Sequence, residues 1–307
     1  MEPTLERTRA LSAARAHLDR GFRFEQAGSL ARALEEYHDT LSSHPQPVEE
    51  IEARLRIARV YRTMAAWDLC RAESDTAIRL AHQHHEDDLA AEAMNVQVGA
   101  LQVQGFFDQA DELGRRAVSL ARSARVRGIT LQNLGRSAAE QRKFDESDSL
   151  FAESVEAFRA ANYDIGLAVA LTNAAKAALD RGDASRSLTV GREAIALARR
   201  LNQLDVLLIA VQNQAEAFAS VGDHDSAEAL LTEALGHFTS ARNLLRQAEC
   251  LEIMGHMSAS RSGDPETARR CYERARELAN AVGDRPLADR LTKRLSESAD
   301  QEQLPAE

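Results

Sequence analysis

The sequence predicts an all-α protein: a right-handed α-solenoid of about seven helix pairs closed by a C-terminal capping helix. Three observations carry that prediction. First, the six prolines are Pro3, Pro45, Pro47, Pro265, Pro286 and Pro305. Proline breaks helix interiors, so the stretch between Pro47 and Pro265 permits uninterrupted helices. Second, Ala, Leu, Glu, Arg and Gln dominate that stretch, and these are the stronger helix formers. No alternating Val/Ile/Thr run with a hairpin turn interrupts them, which excludes Rossmann, P-loop and hydrolase-type sheets. Third, short turns recur at a period near 40 residues, the mark of stacked supersecondary units.

Taken in order, the turns are AGSLARALEEY from Ala27, AAWDLCRAES from Ala65, QGFFDQADELG from Gln104, QRKFDESDSLF from Gln141, RGDASRSLTVG from Arg181, VGDHDSAEALL from Val221 and SGDPETARRCY from Ser262. Their anchors are Gly28, Ala65, Gly105, Arg142, Gly182, Gly222 and Gly263, spaced 37, 40, 37, 40, 40 and 41 residues apart. Glycine at an anchor supplies the left-handed residue that ends a first helix. Second helices are expected to start near Ser29, Trp67, Phe107, Phe144, Ala184, His224 and Pro265. Asp183, Asp223 and Asp264 can cap those starts, and Pro265 suits a first helical turn. Each second helix then sets a small residue four positions before a large one: Ala33 with Tyr37, Ser147 with Phe151, Ala227 with Leu231, Ala268 with Tyr272. The small residue lets the paired helix approach and the large one fills the space beside it. A fifteenth helix follows Gly283-Asp284-Arg285-Pro286 and reads LADRLTKRLSES. Its polar face suits the terminal cap that a repeat array needs. The expected organisation is one array over residues 1–299, with repeats at about 10–283, a capping helix at about 285–299, and a disordered acidic tail at 300–307.

These residues resemble the tetratricopeptide repeat family. Gly21 and Phe24, Ala58 and Tyr61, Leu134 and Gly135, and Ala215 and Phe218 match its small and aromatic positions in first helices. Ala268, Tyr272 and Ala275 match the second-helix triad, as do Ala227, Leu231 and Ala234 with Leu for the aromatic. The period exceeds the family's usual 34 residues, Gly114 and Gly191 stand where an aromatic is usual, and the opening Trp is missing, with Trp67 at a turn. The pattern is most similar to the longer-helix subclass of kinesin-light-chain-like and bacterial regulatory repeats. HEAT and armadillo arrays have similar periods without this small/aromatic signature.

The resemblance implies a concave groove lined mainly by first helices. Carried over position by position, it selects Arg56, Arg59 and Arg62; Asn95; Gln132, Asn133 and Arg136; Thr172, Asn173 and Lys176; Gln212, Asn213 and Glu216; and Glu252 and His256. Asn133, Asn173 and Asn213 recur at 40-residue steps. An amide donates and accepts, which suits gripping an extended peptide backbone, as such asparagines do in related repeats; the alternative is that they bond within the array. The groove charge looks graded. Arg56, Arg59, Arg62, Arg136 and Lys176 lie in repeats two, four and five, and Glu216, Glu249 and Glu252 in repeats six and seven. The basic segment can select an acidic peptide or a C-terminal carboxylate; otherwise these charges serve solubility. The carboxylate-clamp pattern of chaperone-binding relatives is not reproduced.

Charge and composition bound the function. Acidic residues number 48 against 38 basic ones, for a net charge of −10. This argues against general nucleic-acid binding and against anionic membranes. Aromatics are 5%, too few for large stacking platforms. There is no signal-peptide core in MEPTLERTRALSAARAHLDR and there are three cysteines, so a reduced, cytoplasmic setting is expected. Cys70 takes a small-residue packing position, and Cys250 and Cys271 lie on facing helices of repeat seven, where as neighbours a reduced pair is expected over a disulfide. The run His82-Gln-His84-His85-Glu-Asp-Asp88 is the best metal candidate by composition, but it falls at an inter-repeat loop where polar residues collect. No metal, cofactor or catalytic constellation is assigned. The reading is a non-enzymatic scaffold or adaptor that docks a peptide or helical segment of another protein. The alternative is a peptide-sensing regulator acting through protein contacts without its own DNA-binding domain, and a secretion chaperone is a weaker third option.

Overall fold

A computed structural model describes residues 2–260 and 264–302, with side chains from 13–259 and 264–296. Among these residues fifteen α-helices follow one another and no strand occurs. The chain divides into two compact units, residues 1–166 and 167–307.

The first unit holds four helix pairs: α1 (Glu2–Gln26) with α2 (Leu30–Ser42), α3 (Pro47–Thr63) with α4 (Trp67–Gln83), α5 (Asp87–Val103) with α6 (Phe107–Leu120), and α7 (Ala124–Glu140) with α8 (Phe144–Ala160). The unit boundary falls inside α9 (Asp164–Arg181). The second unit continues with α10 (Ala184–Arg200), then α11 (Leu204–Ser220) with α12 (His224–Ser240), α13 (Leu244–Ser260) with α14 (Pro265–Val282), and α15 (Arg285–Glu302). The second helices begin within one residue of the expected positions.

The turn chemistry explains that agreement. Gly28, Ala65, Gly105, Arg142, Gly182 and Gly222 all have positive φ, while Gly263 lies outside the described residues. Each of the six closes a Schellman turn. At the first, the Ser29 N–H donates to Phe24 O at 2.9 Å and the Gly28 N–H to Glu25 O at 3.0 Å. The aspartate caps also form. Asp183, Asp223 and Asp264 accept from the backbone N–H of Arg186, Ser226 and Thr267 at 3.0, 3.1 and 2.9 Å. A second set of left-handed residues ends most second helices: His44, His85, Asn162, Asn202 and Arg242, with φ of 53°, 60°, 50°, 53° and 53°, and Gly283 at 77°. Sequence reasoning tied to glycine missed the first five of these.

One junction is made differently. α6 has 14 residues where α4 and α8 have 17, and no left-handed residue follows it. The chain leaves α6 extended, and Ser123 caps α7 by accepting from the Val126 N–H at 3.3 Å. The Asp88 carboxylate accepts from the N–H groups of Arg122 and Ser123 at 2.7 and 3.0 Å, while Asp87 pairs with the Arg122 side chain at 3.0 Å. The two aspartates of the histidine-rich run therefore fasten a turn.

Packing rests on sockets made by small residues. Ala33, Ala227, Ala268 and Ser147 are fully buried or nearly so, with Tyr37, Leu231, Tyr272 and Phe151 beside them. Gly21 faces Tyr37 and Gly255 faces Tyr272 closely enough that a Cβ would collide with each ring, and at Gly135 it would press tightly on Phe151. Where the second helix carries glycine instead, the filling side chain comes from the next first helix: Leu134 sits over Gly114 and Gln214 over Gly191. Gln214 is buried and donates to Ser187 O at 2.7 Å. In the second unit, Leu287 and Leu291 of α15 share one buried cluster with Leu251 and Tyr272, so α15 does cover the last pair. It runs to Glu302, which makes residues 300–302 helical where a disordered tail was expected; 303–307 lie outside the described residues. Burial pushes the Cys250 thiol up to about 12, with Cys271 adding to the shift, and all three cysteines are free thiols.

Candidate functional site

In the first unit the first helices touch one another in succession, α1 with α3, α3 with α5 and α5 with α7. Their shared wall holds a cavity of about 360 Å³ lined by Arg59 and Arg62 of α3, Glu92, Asn95, Val96 and Gly99 of α5, and Ile129, Asn133 and Arg136 of α7. Five of these nine residues were selected from sequence; Glu92, Val96, Gly99 and Ile129 were not. Glycine inside a helix-forming run was the available signal for Gly99.

The cavity's charges are unevenly matched. Glu92, whose side chain is only 10% exposed, accepts from Arg59 at 2.9 Å and also pairs with Arg125. Burial, more than any other influence, pushes the Arg59 guanidinium down, against the pull of Glu92. Arg56 stands outside this cavity, paired with Glu25 at 3.6 Å and stacked 4.5 Å from the Phe22 ring. Arg62 and Arg136 have no hydrogen bond or ion pair among the described residues. The Arg62 Nε is buried without a partner. Its guanidinium lies over Gly99, where a Cβ would come within 2.9 Å of Nη1. Arg136 is exposed to solvent as a whole, yet desolvation of its guanidinium first, then the like charge of Arg62, holds it below its ordinary value, with Glu140 opposing.

The asparagines are not equivalent. Asn95 donates to Thr130 Oγ1 at 2.8 Å and accepts from Asn133 at 3.4 Å, and Thr130 passes its own proton to Val126 O at 3.0 Å. Asn133 keeps its side-chain oxygen and one N–H uncommitted, while its backbone carbonyl accepts from Gln102 at 2.7 Å. Gln132 is half-buried on the same helix.

In the second unit Asn213 is 4% exposed and donates to Thr172 O at 3.3 Å. Thr172 is 3% exposed and bonds back to Ala168 O at 2.8 Å. These two expected groove residues therefore do not reach the surface: the face they occupy is the one that packs α9 and α11 together. Asn173 is half-buried with no side-chain hydrogen bond among the described residues. Lys176 is exposed and pairs with Asp180 one turn on.

A second cavity, of about 390 Å³, lies on α11, α13, α14 and α15. Leu208, Ile253 and Met257 give it an apolar floor, and Gln212, Glu216, Glu249, Glu252 and His256 edge it, with Arg290 and Arg294 opposite. Here each lining carboxylate has a protein partner. Arg290 donates to both oxygens of Glu252 at 2.7 and 2.8 Å, Glu249 pairs with Arg246, and Gln212 donates to Glu216 at 3.0 Å.

Away from these walls, His17, Glu36 and Asp39 form the one cluster of metal-ligand type among the described residues. The Arg20 guanidinium lies against it, 2.7 Å from His17 Nδ1 and 3.0 Å from Glu36. The Arg20 hydrogen bond chiefly holds the Glu36 carboxyl low, so that cluster is an ion-paired network. Among the described residues no helix is long and apolar enough to cross a membrane.

No protein-family model matches the chain. Over 114 residues it is 30% identical to Regulatory protein AfsR from Streptomyces coelicolor, a match taking in 36% of this chain and 12% of that protein. The chain therefore spans a small part of the curated relative it matches. Among solved structures it is similar to a Signal Transduction ATPase with Numerous Domains protein with a tetratricopeptide repeat sensor from Pyrococcus horikoshii. The TM-score is 0.68 at 12% identity, covering 92% of this chain and 43% of that one. It is also similar to the apo form of RapI, at a TM-score of 0.61 and 12% identity, covering 88% of this chain and 99% of that one. A tetratricopeptide repeat protein from Parabacteroides merdae gives 0.55 at 11% identity over 92% and 99% of the two chains.

Proposed function

We propose that this chain, which has the tetratricopeptide-repeat-like fold, is a non-enzymatic interaction module that docks an extended segment of another protein on its first-helix wall. One observation carries the reading. In the first unit, three successive first helices present a cavity in which Asn133 keeps free hydrogen-bonding capacity and two arginines lack partners. Unspent donors lining a concavity suit a ligand with acceptor groups along its length. Asn173 adds uncommitted capacity in the second unit, and the apolar cavity on α11 and α13 could take a hydrophobic side chain.

A regulatory role is the second reading, favoured by the match to Regulatory protein AfsR. A Rap protein complexed with Competence and Sporulation Factor is similar in fold, at a TM-score of 0.50 and 14% identity over 93% of this chain and 74% of that one. In that reading the bound segment would be the signal.

Photo-crosslinking in the native host tests the docking wall. A crosslinker at Ile129 or Gln132 should yield a discrete protein adduct. The same group at Arg79 or Arg115, exposed on second helices, should not. Adducts only from the second-helix positions would place binding on the opposite surface.

A further inference from the structure

We infer that Arg62, seated over Gly99, and Arg136, lining the same cavity, form a subsite for one carboxylate of the docked segment. The inference rests on the docking reading above and deepens it by naming the chemistry recognised.

The arrangement is costly in three ways. A buried N–H without a partner is destabilising, and native structures rarely tolerate one without a reason. Arg62 Nε is such a group. A second cost sits beneath it: glycine in a helix interior is less favourable than alanine. Gly99 is buried in the middle of α5, and the room it leaves is filled by the Arg62 guanidinium. A third cost is electrostatic, since Arg136 lines the same cavity and its charge is disfavoured by Arg62.

The one lining carboxylate cannot relieve these costs, because Glu92 is already shared by Arg59 and Arg125. The cavity thus has three lining guanidiniums against one carboxylate, inside a protein of net charge −10. An incoming carboxylate would supply the acceptor that Arg62 Nε lacks and would screen Arg62 from Arg136. Guanidinium matches carboxylate geometry through paired N–H donors. The amide of Asn133 beside it suits a peptide backbone carrying that carboxylate.

A carboxylate can come from an Asp or Glu side chain or from a chain terminus. Three octapeptide probes on one Gly/Ser frame, each with a neutral fluorophore, separate the sources. The first has three glutamates and an amidated end, the second has no acidic side chain and a free end, and the third has neither. Anisotropy with the full chain should show binding of the first or second, weakening as salt rises, and at least tenfold weaker binding of the third. Binding of the first assigns the side chain; binding of the second assigns the terminus. Arg62→Gln and Arg136→Gln should each weaken the preferred probe about tenfold. Gly99→Ala should do so while leaving helicity intact and the melting temperature unchanged or raised. Arg127→Gln removes a charge that faces Glu153 on α8, and should change affinity by less than about twofold.

Equal binding of all three probes, no binding of any, or wild-type affinity in the three site variants would each overturn the subsite. Host-cell adducts at Ile129 that persist in Arg62→Gln would leave the docking wall standing without it. Probe binding without such adducts would leave the subsite and remove the wall.

Discussion

The first-helix walls of the two units differ in how their charges are spent. On α11, α13 and α15 each named charge has a protein partner: Glu252 with Arg290, Glu249 with Arg246, Glu216 with Gln212. On α3, α5 and α7 a single glutamate serves two arginines while two others go without. The units use the same helix-pair plan, so the plan does not dictate the imbalance. A wall whose ion pairs close on themselves contributes to folding. A wall that leaves guanidiniums unpaired keeps interaction energy for something outside the chain.

The largest test of this contrast is Glu92→Gln. It leaves the lining arginines of the first cavity without a counter-charge, and charged hydrogen bonds of this kind are each worth about 1.5–3 kcal/mol. Chemical denaturation should show a loss of about 2–3 kcal/mol. Arg290→Gln on the exposed pair of the second wall should lose less than about 1 kcal/mol. Equal losses would erase the distinction between the walls.

The turns sharpen the comparison at a smaller scale. Between their paired helices, the second unit places Gly182 and Gly222 in the left-handed region, whereas the first alternates Gly28 and Gly105 with Ala65 and Arg142 there. A side chain in that region costs about 1–2 kcal/mol. Gly222→Val should therefore lose more than about 1 kcal/mol. Arg142→Gly should gain about 0.5–1 kcal/mol, less than the strain removed because glycine also loosens the unfolded chain. Melting temperatures that move the same way in both variants would show that strain at these turns is not the controlling term.

The smallest effect concerns acid. Hydrogen bonds from Ser226 and Thr267 hold the Asp223 and Asp264 carboxyls below the ordinary aspartate range. Their stabilisation is complete above the unfolded value, near pH 4, and is lost as pH falls through the lower folded values. Amide exchange at Ser226 and Thr267 should accelerate over that window. The starts of α4, α6 and α8 follow Ala66, Phe106 and Lys143, which make no side-chain cap. Their exchange should be flat over the same window, and parallel acceleration there would remove the caps as the cause.

Much of the architecture could be read from spacing because Schellman turns, aspartate caps and small-to-large pairs are local devices with fixed offsets. Gly28, Asp223 and the Ala268–Tyr272 pair reveal themselves within a few residues of chain. The turns at His85, Asn162 and Arg242 were hidden because tertiary packing forces a left-handed residue there without glycine to announce it. The site was less readable for a related reason. Thr172 and Asn213 occupy the positions that the family pattern assigns to a groove, yet whether such a residue reaches solvent depends on how closely α9 and α11 approach. The value of Gly99 likewise depends on Arg62, 37 positions away in sequence, a relation no single-helix pattern contains.

The glycine sockets carry a consequence for anyone who would cut and rejoin this chain. Gly114 receives Leu134 and Gly191 receives Gln214, each from the following helix pair. Gly21, Gly135 and Gly255 instead receive a ring from within their own pair. Neighbouring modules are thus keyed to one another by a specific side chain, an isobutyl group at one junction and a buried amide at another. Shuffling, duplicating or averaging the modules into a consensus would put the wrong key in each lock. A leucine placed at the Gly191 junction would leave Ser187 O without its amide donor, and a glutamine at the Gly114 junction would bury an amide where Leu134 now presents only methyl groups. The order of the modules is written into these junctions, and a grafted version of this protein must carry each socket and its filler together.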